Sequence, residues 1–167
     1  MGEEASEIMD RWTWSGDDAQ AVPALLAMPT AHELTEAVLR QCVRNNSLTP
    51  ATAALVQKYA TRHVADDKLR DRVLRVCVLA LRYLPSHAVA VLEAIYRFDD
   101  FDRQDVAEAC VACTAPSFPL NVRTLAMHVV ACMTSRYCCD ALRASFADVC
   151  DLVTQESVTA PALLARA

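Results

Sequence analysis

Apolar side chains recur along this chain at intervals of three and four, the period of a helix with one face turned to a core. Polar residues and prolines between these runs supply the boundaries. Leu34, Val38 and Cys42 lie four apart behind Thr30-Ala-His-Glu33, which has the form of a capping box, and the Asn45-Asn46 pair closes that segment. Thr49-Pro50 repeats the start signal, a cap and then a proline at the first helical position, ahead of Leu55, Val56, Tyr59, Ala60 and His63. Asp66 and Asp67 open a longer run through Leu69, Val73, Cys77, Ala80 and Leu84, which Pro85 stops. Ser86 is the expected cap of the next helix, carrying Val91, Ile95 and Phe98. Asp102 is the expected cap of the one after, with Val106, Ala109, Cys110 and Cys113. The Pro116-Ser-Phe-Pro119 loop then leads to Val122, Leu125, Val129 and Cys132. Cys139, Leu142, Phe146, Val149 and Val153 predict a last helix from about 137, and residues 17–28 a shorter first one. The pattern predicts an all-α fold of about eight helices, with a single domain over 17–155. An acidic segment or cap covers 1–16, and a frayed tail 156–167.

Links of two to five residues turn successive helices antiparallel. Helix starts near 30, 66, 102 and 137, interleaved with starts near 49, 86 and 119, repeat a two-helix unit of about 35 residues. Such a period predicts helical hairpins stacked as a short α-solenoid, in which each hairpin buries its apolar face against its neighbours; an irregular bundle of similar helices is the alternative. Pro119-Leu-Asn-Val122-Arg123-Thr-Leu-Ala126 resembles the opening of the second helix of a HEAT repeat, and Leu69-Arg70-Asp-Arg-Val73-Leu74 is a looser copy. With the preceding helix, residues 102–134 resemble one HEAT unit, and the likeness to the HEAT/armadillo-like superfamily extends over about 30–155. The resemblance implies a surface for other proteins rather than a reaction.

Composition narrows the function classes. Gly2 and Gly16 are the only glycines, so no glycine-rich phosphate loop or nucleophile elbow exists beyond residue 16. The net charge of −5 resides in the first eighteen residues, where Glu3, Glu4, Glu7, Asp10, Asp17 and Asp18 face only Arg11. The rest of the chain is neutral, which argues against nucleic acid as a partner. The longest stretches without Asp, Glu, Lys or Arg, 19–32 and 109–122, are fourteen residues each, and a membrane span needs about 18 or more. Acids rather than bases follow Met1, unlike a secretory signal, so the expected location is intracellular, cytoplasmic or nuclear.

The eight cysteines are the first candidates for chemistry. Cys110-Val-Ala-Cys113 has the spacing of half a zinc site, but both sulfurs extend the apolar stripe of Val106 and Ala109, and no second pair follows. Cys42, Cys77, Cys132 and Cys150 also fall on apolar faces, where a thiol packs as a small hydrophobe. The adjacent Cys138 and Cys139 would point about 100° apart on a helix. His32, His63, His87 and His128 are each isolated in the sequence. Asp99-Asp100-Phe-Asp102 lacks the glycine and terminal glutamate of a calcium loop. The expectation is therefore no metal, no cofactor and no catalytic residue.

Two features suit a partner. Ile8, Met9, Trp12 and Trp14 form an apolar patch in the acidic N-terminal segment, either a cap over the helical stack or a docking peptide. Lys68, Arg72, Arg75 and Arg82 share an arc of about 80° around Leu79 on one helix. Most other positions of that helix, Tyr83 among them, read as buried. This strip is either a solvated face or a contact for an acidic protein, since arginine is enriched at interface hot spots. The reading is a non-enzymatic interaction module, an adaptor or subunit, with Lys68, Arg72, Arg75, Leu79, Arg82, Trp12 and Trp14 as candidate contacts. A globular helical regulator holding an amphipathic helix in a groove, and an enzyme with a scattered site, are the alternatives.

Overall fold

The computed structural model describes residues 3–45 and 49–133, and within them every regular element is helical. The eight α-helices are α1 (Glu3–Ser15), α2 (Asp18–Ala27), α3 (His32–Arg44), α4 (Pro50–Tyr59), α5 (Asp67–Tyr83), α6 (Ala88–Arg97), α7 (Gln104–Ala112) and α8 (Leu120–Ala131). Seven correspond to segments expected from the periodicity. The expected helix from 137, with Cys139, Leu142, Phe146, Val149 and Val153, and the tail 156–167 lie outside the described residues.

The eighth, α1, lies within the acidic segment or cap expected over 1–16. Its one buried side is narrow, Ala5 and Trp12, with Ile8 and Met9 half-buried. Trp12 is 1% exposed, and its indole N–H donates to Asp18 Oδ1 at 2.9 Å, the partner a buried indole needs. Asn45 Nδ2 donates to the same oxygen at 3.4 Å, and Gln41 Nε2 reaches the Trp12 carbonyl at 3.4 Å. One tryptophan thus joins α1, α2 and α3. Gly16 ends α1 with φ of +63°, the left-handed conformation glycine adopts without strain, and its N–H returns to the Trp12 carbonyl at 2.9 Å.

Two expected caps hold. Thr49 accepts from the Thr52 N–H at 3.2 Å ahead of Pro50, and Asp66 accepts from the Leu69 N–H at 3.1 Å. Three do not. The capping box at Thr30 is not formed: α3 begins one residue later, and Ala31 at the cap position has no side chain to offer. Ser86 falls inside a 3-10 turn, Pro85–His87, and His87 takes the cap position of α6 without a side-chain bond. Asp102 precedes the cap of α7, which is Arg103; Asp105 in the first turn instead accepts from Arg103 at 3.0 and 2.9 Å.

The chain divides into two compact units, Met1–Phe101 and Asp102–Ala167. In the first, α1 packs on α2 and α3, α3 on α4 and α5, and α5 on α6, while α2 packs on α4 and α4 on α6. Odd helices form one row, even helices another. Polar side chains tie neighbouring helices of one row at their ends. Lys58 Nζ of α4 donates to the carbonyls of Leu25, Leu26 and Met28, and Tyr59 Oη to Leu25 at 3.0 Å, so the exposed end of α2 is capped by α4. In the second unit α7 packs on α8, and the buried Arg123 donates through Nε to the Thr114 carbonyl at 2.9 Å. Val122, Ala126 and Val130 are buried beside it on α8.

The two tryptophans of α1 differ in kind, and so do their expected variants. Trp12→Ala should cost about 3–5 kcal/mol in chemical denaturation, as a fully buried aromatic does, while Trp14→Ala should change stability by less than about 0.5 kcal/mol.

Candidate functional site

Helix α5 is the longest described, 17 residues, and its start is fixed twice. Asp66 caps it and also receives Arg40 from α3 at 2.7 Å, and that guanidinium holds the Asp66 carboxyl below the usual carboxylate range. Leu69, Val73, Leu74, Cys77, Val78, Ala80 and Leu81 are buried, which covers more than half the circumference. Its remaining arc faces solvent.

On that arc Lys68, Arg72, Arg75 and Arg82 are all exposed, with Leu79 among them at 48% exposure. The structure thus brings five of the seven candidate contact residues onto one surface. It adds Tyr83, 70% exposed, one turn beyond Leu79. Tyr83 was expected on the buried side; as the last residue of α5, about 40° around the helix from Leu79, it falls on the exposed arc. Its spacing of four from Leu79 was the available signal. Among the described residues none of the four cations makes an ion pair or side-chain hydrogen bond, whereas Arg40, Arg62, Arg70 and Arg103 each have an acidic partner. Asp71 stands exposed at the edge of the strip.

The two remaining candidates separate. Trp14 is 90% exposed on the outward side of α1, but Trp12 is a core residue, so it is out of reach of any partner while α1 stays packed. An indole that must pair its N–H and bury its rings serves the junction of three helices instead.

Elsewhere the structure supplies packing. Cys42, Cys77, Cys110 and Cys113 are buried, with no disulfide to any of them. Burial pushes the Cys42 and Cys77 thiols up to about 12 and that of Cys113 to about 11, so each stays protonated and unreactive at neutral pH. His32 and His63, isolated in the sequence, meet edge to face with ring centroids 6.1 Å apart. Among the described residues no group of three or more His, Cys, Asp or Glu side chains is placed to hold a metal ion. No single described helix is long and apolar enough to cross a membrane; α5 and the Pro85–Arg97 segment reach that composition only together, across a bend of 118°.

No protein-family model, no curated protein and no solved structure matches this chain.

The thiol environments give a direct check. Under iodoacetamide at pH 8, Cys42, Cys77 and Cys113 should stay unmodified in the native protein and react once it is unfolded, as peptide mass mapping reads. Because these thiols titrate higher in the folded state, folding stability from this source is intact below the ordinary thiol range and declines as pH rises through it.

Proposed function

We propose that this chain is a non-enzymatic interaction module of an intracellular complex, its helical hairpins stacked in the manner of HEAT and armadillo repeats, and that it holds another protein on the outward face of α5. The observation that carries this reading is the strip of Lys68, Arg72, Arg75 and Arg82 around Leu79 and Tyr83, whose cations have no acidic partners of their own among the described residues.

The physical argument is one of cost. Leucine and tyrosine left in water forgo burial, at about 25 cal/mol per Å² of apolar surface, and a merely solvated face has no reason to seat both among arginines. Arginine adds five donors and a plane that stacks on aromatic rings, which suits a contact whose centre is apolar and whose rim is charged. The chemistry fits a helix with acidic flanks and an apolar stripe. The two-row contact pattern of α1 to α6 supports the stacked arrangement, since in it each hairpin covers the apolar side of the next.

Charge reversal tests the reading. Arg72→Glu combined with Arg75→Glu should leave circular dichroism and melting temperature nearly unchanged, as surface substitutions do. The same variant, used as bait beside the unaltered protein, should lose the proteins that the latter retains in quantitative affinity purification. An unaltered retained set would return this face to plain solvation, and a collapsed fold would make the arginines structural.

A further inference from the structure

We propose that the occupant of the α5 face is α1 of a second copy of this chain, an inference that rests on the reading of α5 as a docking face. The outward side of α1, opposite the buried Trp12, carries Glu7, Asp10 and Trp14, all exposed. These residues are spaced three and four. On α5, Arg72, Arg75 and Leu79 are spaced three and four as well, and they too are exposed. At a rise of about 1.5 Å per residue the two sets have matching separations of about 4.5 and 6 Å along their helices. Laid parallel, Glu7 faces Arg72, Asp10 faces Arg75, and Trp14 meets Leu79, with Tyr83 one turn further on. Laid antiparallel, Trp14 would meet Arg72 and Glu7 would meet Leu79, so the charge pattern selects one orientation. A residue of the opposite sign, Arg11 on α1 and Asp71 on α5, stands at the edge of each face.

The two faces of one copy cannot meet. Both α1 and α5 pack on α3, which lies between them in the row, and α1 is held there by Trp12 and its bond to Asp18. Complementary faces that are kept apart within a chain are free to pair between chains. In such a contact the apolar centre of Trp14, Leu79 and Tyr83 supplies the affinity. The acid–base pairs around it set orientation and on-rate, and they weaken as salt shortens the Debye length below about 10 Å.

Sedimentation equilibrium on the full chain, from micromolar to millimolar concentration, tests this. The average mass should rise above that of one chain with concentration and fall with added salt. Glu7→Lys with Asp10→Lys in one variant, and Arg72→Glu with Arg75→Glu in another, should each weaken association by about tenfold or more. An equimolar mixture of the two variants should restore it, because the reversed α1 of one then matches the reversed α5 of the other. Trp14→Ala, which changes no charge, should weaken association to a similar degree with the fold intact. A chain that keeps the mass of one copy at every concentration overturns the inference. So does association that neither reversal alters, or a mixture that does not reassociate. A monomeric protein that still loses another protein's binding on Arg72→Glu with Arg75→Glu overturns self-docking alone and leaves the docking-face reading standing.

Discussion

The first unit hangs on the burial of α5 between α3 and α6. Isolated helices shorter than about 12–15 residues are marginal in water, and α2, α4 and α6 have ten residues each. None of these can rely on its own backbone hydrogen bonds. Each persists because its apolar side is covered by neighbours: α2 by α1 and α4, α4 by α3 and α6, and α6 by α4 and α5. Cys77, Val73 and Leu74 are fully buried on α5, as are Leu39 on α3 and Leu92, Ala94 and Ile95 on α6. The same demand leaves one narrow arc of α5 uncovered, and the cations collect there.

Polar groups complete what apolar packing leaves open. Among the described helices only α1 ends on a left-handed glycine, Gly16. Neighbouring helices supply the bonds instead. Lys58 and Tyr59 take the last carbonyls of α2, Arg97 of α6 donates to the Gln57 carbonyl of α4 at 2.6 Å, and Arg123 takes the Thr114 carbonyl just beyond α7. Each bond joins an element to the next rather than to itself, so formation of one helix end is coupled to docking of another.

Charge is distributed unevenly over that framework. Arg40, Arg70 and Arg103 serve the chain's own structure, pairing with Asp66, Asp67 and Asp105 near helix starts. Lys68, Arg72, Arg75 and Arg82 are spaced from the first turn of α5 to its last, with Asp71 at the edge of their arc. The acids of α1 lie on the opposite end of the same row, beyond α3. The row thus has one basic and one acidic flank, each with an exposed aromatic residue, Tyr83 and Trp14.

Periodicity determined most of the architecture. The seven helices from α2 to α8 follow apolar intervals of three and four, and the basic strip of α5 was legible because helical geometry places positions 68, 72, 75, 79 and 82 on one arc whatever surrounds them. What intervals cannot specify is which side of an amphipathic segment finds a neighbour. Trp12 and Trp14 are two residues apart in one short helix, and only the approach of Asp18, Gln41 and Asn45 put the first in the core and left the second in water. Tyr83 reads as apolar from its type, yet it lies outside, on the exposed arc it shares with Leu79. The caps at Thr30, Ser86 and Asp102 failed for a related reason: a cap needs the backbone to enter the helix at that residue, and the entry point is set by how the link packs. The sequence by itself determined the helices and the arc of α5; tertiary packing decided helix entry points and the fate of each aromatic residue, because burial is a property of pairs of surfaces and the chain encodes only one surface at a time.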